Sequence, residues 1–533
     1  MISVEENALE WALKHLKRYY DSDFYPKSFE YDAISHNWPL VKKHILSLDL
    51  LNYIPKSPLI SLSPKVNGTY RIVHQLDPID SLIYTALVYQ LHNIIEEFRI
   101  PETEKIACSY RVKPDLNGSF FQRGDDGWKN YKTQIKKLAK QYKRGFVLFC
   151  DITDFYNQIY THRIRNIISE AGGPLYNDLA KILEDFLMNL NTKTSRGIPV
   201  GPAASIVLAE AIMADIDKKI LSYTRDFVRW VDDIIIFFNK EEDASFIFHE
   251  LTKYLYSSHR LVFSGEKSRI KSVQWYMKYK YKDEEQEEEI EVMKKTEELA
   301  NEKFEELELE FTGSTYDYFE DSEDTYEEAY ENIYNEVAEN EHFEILTDAY
   351  KNMLNKELDS KKLDVALLRH IFRNASRYRI RSLAPIVLRN FEALIPLIRE
   401  VVIYLNKTLS EPQVKRYKRY FEKILDSHIM DIPFINVWVS YLLQNNHFNI
   451  IDFPQNYKKI IRIREQALIA KRRNDRVWVK DHKDGLDVLG PLDRRSVLYS
   501  AEILSEDEMK HWIKMVSSRG DIIDKSICAL LSK

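Results

Sequence analysis

Three aspartates carry the clearest chemical signal in this chain: Asp151, Asp232 and Asp233. Asp151 follows the apolar run GFVLFC, and the adjacent pair stands between the apolar runs FVRWV and IIIFF. Transfer of a phosphoryl group to a hydroxyl can use two divalent ions, one at the attacking oxygen and one at the leaving group. Magnesium takes hard carboxylate oxygens and keeps several waters, so such a site needs two or three acids from separate strands. A lone carboxylate at the end of a buried strand is costly, and a metal ion would compensate it. Taken singly, each of these aspartates reads as a turn or cap residue. It is the set of three that gives them a chemical reading.

The elements around the acids fit that purpose. GFVLFCDI reads as a strand buried on both faces. RDFVRWVDDIIIFF reads as a tight hairpin with its acids at the tip. Between them, TSRGIPVGPAAS is a Gly/Pro loop feeding a helix that carries Ala203, Ile206, Val207 and Glu210 on its first turns. Upstream, 58–76 reads as two short strands around a turn at Asn67-Gly68. A helix is expected over 80–98, capped by Asp80 or Ser81. The first 60 residues are mainly helical in pattern. From about 345 to 533 helical periodicity continues almost unbroken, with Pro385 and Pro396 at helix starts, and antiparallel helix pairs stacked as a solenoid are expected.

At 533 residues the chain is too long for one ordinary core. The formal charge of −7 conceals a strong asymmetry. Residues 283–344 hold 26 acids against 3 basic residues, a net of −23, which leaves the remainder at +16. That excess suits a polyanionic partner, although net charge locates no patch. Within the acidic stretch, DEEQEEEIE reads as a solvated helix and the Tyr/Glu-rich middle as a mobile segment, with Tyr326, Tyr330 and Tyr334 on one helical face. Only three cysteines are present, Cys108, Cys150 and Cys528, too scattered for a zinc site or disulfide framework. No apolar run reaches membrane-spanning length and the N-terminus lacks a secretory pattern, so a cytoplasmic protein without a membrane partner is expected.

The ordered motifs resemble those of reverse transcriptases. FCDITDFYNQIY is similar to their motif A, GIPVGPAASIVLAE to motif B, FVRWVDDIIIFF to motif C, and LVFSGEKSRI, with Lys267, to motif D. SPKVNGTYRIVHQLDPID, with Lys65 and Arg71, resembles the fingers segment that binds an incoming triphosphate, and SYR at 109–111 a further fingers motif. The resemblance implies Asp151, Asp232 and Asp233 as catalytic acids and metal ligands, joined by the backbone carbonyl of Ile152. It implies Mg2+, with Mn2+ as the alternative, and deoxynucleoside triphosphates as substrates. Tyr156 would block a ribose 2′-hydroxyl. Lys65 and Arg71 would neutralise phosphate, by point and bidentate contact respectively. Gly197, Pro199 and Gly201 would shape the loop under the nucleotide, and Lys267 would serve substrate binding. Two positions depart from the pattern: Trp230 replaces the usual motif C tyrosine, and Val200 stands where retroviral enzymes have glutamine.

The fold expected from this resemblance is α+β. Reverse-transcriptase fingers and palm occupy 1–280, an acidic linker or insert 281–344, and an all-α helical-repeat (HEAT-like) domain 345–533. No compact thumb signal is read after the palm. In motif B and in the helical tail the chain resembles the bacterial abortive-infection reverse transcriptases, the AbiK-like group of antiphage defence. That resemblance implies untemplated, protein-primed synthesis of a single-stranded DNA product, covalently attached, by a homo-oligomer. Tyr316 and Tyr318 are conceivable priming residues set among repelling acids. Basic residues of the tail, Arg373, Arg377, Arg379, Arg381, Lys471, Arg472, Arg473, Arg476, Arg494 and Arg495, are expected either to line a product channel or to serve as solvated faces and ion pairs. The alternatives are a templated enzyme of a retron or mobile element, an RNA-directed RNA polymerase, and a catalytically inert helical interaction protein.

Overall fold

The computed structural model describes residues 3–19, 22, 24–122, 124, 126–281, 297, 341–360, 363–451 and 459–532. Nearly all of the acidic stretch, including Tyr316, Tyr318, Tyr326, Tyr330 and Tyr334, lies outside these residues. The chain divides into two compact units. One comprises 1–60, 72–282 and 514–533; the other comprises 61–71 and 283–513.

The first unit is built around an antiparallel sheet of four strands, β3 (Phe146–Cys150), β4 (Phe227–Trp230), β5 (Asp233–Phe238) and β6 (Arg269–Ser272), in the order β4-β5-β3-β6. A separate two-stranded hairpin, β1 (Leu59–Pro64) and β2 (Tyr70–Gln75), precedes it. In β3, Cys150 pairs with Ile234 and Phe149 with Ile235, so the C-terminal end of β3 lies beside the N-terminal end of β5. That register brings Asp151 towards the Asp232–Asp233 turn. The apolar runs behave as expected of strands covered on both faces. One face buries Val147, Phe149, Val228, Ile235 and Phe237 against Tyr131, Ile135 and Leu138 of helix Asp126–Gln141. Alternate residues of the same strands, Leu148, Cys150, Ile234 and Ile236, are buried on the other face.

Helix Pro78–Phe98 starts earlier than the sequence implies. Its N-cap is Asp77, whose carboxylate accepts from the Ile79 N–H, with Pro78 in the first turn. Asp80 is instead buried inside the helix, accepting from the Tyr53 hydroxyl at 2.6 Å and the Lys56 N–H at 2.9 Å. Burial and the neighbouring charge of Asp77 push its carboxyl up to about 7. Lys56 joins two N-caps. Its ammonium lies 3.1 Å from Asp77 and 3.0 Å from Asp521, which caps helix Ile522–Leu531. Through this clasp, and through packing against helix Glu30–His36, the last helix of the chain belongs to the first unit.

The second unit is helical. Helices Val365–Arg377, Ile398–Thr408, Pro433–Leu443, Ile463–Arg472 and Pro491–Tyr499 pack neighbour against neighbour in chain order. Pro385 and Pro396 do sit in helical first turns. Several of the tail's basic residues make hydrogen bonds or ion pairs within the unit. Arg379 and Arg381 donate to the carbonyls of Lys407 and Thr408 at the end of helix Ile398–Thr408, where unpaired carbonyls need donors. Lys471 pairs with Glu502 at 2.7 Å, Arg473 donates to Ile451, and Arg495 is fully buried. No described helix is long and apolar enough to cross a membrane.

Asp521→Ala removes both the cap of the last helix and a partner of Lys56. It is expected to cost about 1–2 kcal/mol, read as faster amide hydrogen exchange across Ile522–Leu531.

Candidate active site

The peptide after β3 is pinned by the segment that follows it in space. Ile152 bridges Phe263, with the Thr153 N–H donating to Val262 O and the Ser264 N–H to Asp151 O. That bridge uses the flanking peptide groups and leaves the Ile152 carbonyl out. The same segment supplies Lys267, whose ammonium lies 3.0 and 3.1 Å from the two carboxylate oxygens of Asp151. Desolvation works against the Lys267 cation, but the hydrogen bond and charge of Asp151 outweigh it and hold its pKa above the ordinary range.

Asp232 and Asp233 stand at the same end of the β3–β5 pair as Asp151. Loss of hydration, followed by repulsion from Asp233 and Asp151, pushes the Asp232 carboxyl up to about 6. Asp233 is raised for the same reasons, loss of hydration first and Asp151 second, with Lys280 and Lys267 opposing. Three acids that repel one another this way form a centre of negative potential suited to oxygen-binding cations. As they stand, no three His, Cys, Asp or Glu side chains among the described residues are gathered closely enough to hold a metal ion, and Lys267 engages Asp151. The donor set has the right chemistry for Mg2+, while its geometry here is that of an ion pair.

The turn carrying Asp232 is conformationally costly. Val231 has φ 53°, a left-handed conformation that a β-branched residue rarely takes, worth about 1–3 kcal/mol of strain. It is held from both sides. The Val231 N–H donates to the Ser109 hydroxyl at 2.9 Å, and its carbonyl accepts from Arg229 at 2.7 Å. Ser109 in turn donates to Glu210 at 2.6 Å. Arg229, fully buried within β4, also pairs with Asp217 at 2.8 Å and Glu210 at 3.0 Å, and Arg99 completes the cluster at 2.8 Å from Glu210. Ser109 is placed by a parallel rung in which the Cys108 N–H donates to Arg229 O and the Arg229 N–H to Ile106 O.

Tyr156 lies on the short helix Phe155–Gln158, and its carbonyl accepts from the Ile198 N–H of the Gly/Pro loop at 3.0 Å. Gly197 (φ 91°) donates to Ile159 O at 2.8 Å, so the loop is stitched to the segment after Asp151. Pro199 is buried, and His74 grips Val200 by two hydrogen bonds, N–H to Val200 O and Nδ1 from Val200 N–H. Gly201 (φ 135°) admits no side chain, since a Cβ there would stand 2.3 Å from the Ser22 hydroxyl. The first unit therefore brings Asp151, Ile152, Tyr156, Gly197, Pro199, Gly201, Asp232, Asp233 and Lys267 into one connected region. Lys65 and Arg71 are exposed on the β1–β2 hairpin and group with the second unit.

Residues 54–315 match the reverse transcriptase (RNA-dependent DNA polymerase) family. This segment is a reverse transcriptase domain. No curated protein matches the sequence. Among solved structures, telomerase from Candida albicans in complex with a TWJ fragment of telomeric RNA is similar at 10% identity and TM-score 0.30, covering 91% of this chain and 67% of that one. Apo telomerase from Candida tropicalis is similar at 10% identity and TM-score 0.33, covering 78% and 74%. Neither likeness is close enough to bear on fold or function.

The reverse transcriptase domain rests the hairpin that carries Asp232 and Asp233 on Arg99 and Asp217, which lie outside the quoted motifs, and on Ser109, Glu210 and Arg229, which appear in them without a role of their own. A signal was present. An arginine inside the apolar run FVRWV must be compensated, and Glu210 and Asp217, seven residues apart, share one helix face.

Two outcomes follow from this geometry. Ser109→Ala leaves the Val231 N–H and a Glu210 oxygen without their partner; nucleotide incorporation is expected to fall about tenfold in kcat with KM little changed, while Ser109→Thr retains most of it. Asp232 binds its proton up to about pH 6 when folded, against an ordinary value of 3.8. The folded state therefore holds more protons between those values and loses stability as pH rises through them. Asp232→Asn is expected to raise the thermal midpoint at pH 8 and to give no advantage below pH 4.

Proposed function

We propose that this protein is a DNA polymerase of the reverse-transcriptase type, with Asp151, Asp232 and Asp233 as its catalytic acids. The observation that carries the reading is the convergence of three mutually repelling carboxylates beside a strained turn, within a reverse transcriptase domain. Asp151, Asp232, Asp233 and the Ile152 carbonyl would hold Mg2+ or Mn2+. When bound, the metal polarises phosphate and lowers the pKa of the attacking hydroxyl. Lys267 keeps Asp151 oriented and neutralised until then. Tyr156, tied by its backbone to the Gly/Pro loop, excludes a ribose 2′-hydroxyl, and Gly197, Pro199 and Gly201 fix the loop below the nucleotide. Lys65 and Arg71 take the triphosphate of a deoxynucleotide.

The finer reading is untemplated synthesis primed from the protein, giving covalently attached single-stranded DNA, in a cytoplasmic homo-oligomer acting in antiphage abortive infection. It is supported by the likeness of GIPVGPAASIVLAE and of the helical tail to the AbiK-like group. A templated RNA-directed DNA polymerase is the second reading, favoured by the family that residues 54–315 match.

The purified chain with Mg2+ and labelled deoxynucleotides, without template or primer, is expected to gain label that survives denaturation and is removed by DNase. Asp232→Ala/Asp233→Ala is expected to lose at least a hundredfold in incorporation. Label appearing only after an RNA template and DNA primer are added would select the templated reading. No label under either condition would sink the polymerase reading. Tyr156→Ala is expected to admit ribonucleotides; continued exclusion would remove Tyr156 from its role. Ionised Asp232 is the ligand form and protons compete with the metal for it, so at limiting Mg2+ incorporation is expected to decline on acidification and to be restored by raising Mg2+.

A further inference from the structure

Two aromatic groups stand on the face of the sheet that carries Asp233. Asp233 pairs with Trp230, and Ile235, two residues on and therefore on the same face, pairs with Phe149. Trp128, at the start of helix Asp126–Gln141, meets Trp230 edge-on with ring centres 4.9 Å apart. Trp275 lies parallel to Phe149 at 6.5 Å and continues to Tyr279 at 5.5 Å. These rings are not sealed in the core: Trp128 is 44% exposed, Trp275 37% and Tyr279 55%.

Cations accompany both groups. Lys132 lies 5.8 Å from the Trp128 ring, Lys271 5.5 Å from Trp275, Lys278 5.1 Å from Tyr279 and Lys280 5.8 Å from Phe149. Large apolar rings left in water beside lysines suit a ligand that offers both flat faces and negative charge. A nucleic-acid strand does so, because every base has a π face and every linkage a phosphate. The span points the same way. Trp128, on helix Asp126–Gln141, sits against Trp230 of β4 at one edge of the sheet, and Trp275 with Tyr279 follows β6 at the other, with β5 and β3 between. Three inter-strand spacings make about 14 Å, more than one nucleotide base can cover.

We infer that Trp128, on one side of Asp233, and Trp275 with Tyr279, on the other, form a stacking platform for single-stranded DNA, with Lys132, Lys271, Lys278 and Lys280 meeting its phosphates. The choice of DNA rests on the polymerase reading above; the platform itself rests on the rings and lysines.

The test is fluorescence anisotropy of labelled oligo(dT) with the full chain in EDTA, which removes catalysis from the measurement. Trp128→Ala and Trp275→Ala/Tyr279→Ala are each expected to weaken binding about tenfold or more, and Trp128→Phe to keep it within about threefold. Tyr256→Ala removes an equally exposed ring, with Arg260 over it, on a different element, and is expected to bind as the parent does. Thermal unfolding of each variant confirms that it folds. Unchanged binding in both alanine variants, or no binding by the parent chain, overturns the platform. Tighter binding of oligo(rU) than of oligo(dT) overturns its assignment to DNA. Binding with the expected losses, in a chain that incorporates no nucleotide under any condition, sinks the polymerase reading and leaves the platform standing.

Discussion

Arg229 is the residue on which the end of the sheet that bears Asp232 and Asp233 depends. Its guanidinium is fully buried, yet it reaches the Val231 carbonyl, Asp217 and Glu210. A charge in that position is tolerable only with every donor matched, and breaking one such pair typically costs about 3–5 kcal/mol. The cluster is therefore poor evidence for extra stability, since an apolar replacement of the whole set could serve that purpose as well. What it supplies is placement. A left-handed valine immediately before Asp232 persists only if its surroundings over-determine it, and here a hydroxyl holds its N–H while a guanidinium holds its carbonyl.

The same end of the sheet carries an unresolved electrostatic conflict. Asp151, Asp232 and Asp233 repel one another, and the single ion pair from Lys267 neutralises only one of them. The fold keeps this arrangement because strands β3 and β5 are fixed by pairing from Phe146 to Cys150, which leaves their ends no freedom to separate. Stability is thus spent where charge must be concentrated, the usual relation between a functional site and its scaffold. The conflict and the strained turn act at neighbouring residues, so the buried network and the partly desolvated acids are two sides of one constraint.

Much of this was legible in the residues. GFVLFC and IIIFF announced strands covered on both faces, and the run from Pro202 onward announced the helix Ala203–Leu221. The Asn67-Gly68 turn fell where the hairpin turns, with Gly68 at φ 76°. The rest depended on contacts between distant segments, which periodicity does not encode. Asp77 rather than Asp80 caps its helix because Asp80 is needed by Tyr53 and Lys56. Charge alone left the tail's arginines open between a channel and structural partners, whereas contacts show Arg379 and Arg381 closing a helix end and Arg495 buried. The last helix reads like those before it, yet Lys56 and the helix Glu30–His36 claim it for the other unit.

Trp230 shows why such departures are informative. Beside the turn it exchanges a phenol for an indole, and on the sheet face it meets Trp128 and Tyr131. The indole replaces one polar handle, an O–H, by another, an N–H, and its larger ring adds contact area against those neighbours. The substitution therefore makes sense only together with the aromatic neighbours supplied by helix Asp126–Gln141. Those neighbours extend to the surface at Trp128, while across β5 and β3 the rings of Phe149, Trp275 and Tyr279 extend to it again. The acids between them are consequently framed on both sides by flat apolar surface edged with lysine. Local negative potential from the aspartates would repel a phosphate backbone over the turn itself. The lysines lie where a strand approaching the acids would need its charge offset, so the sheet face combines repulsion at the turn with attraction along its flanks.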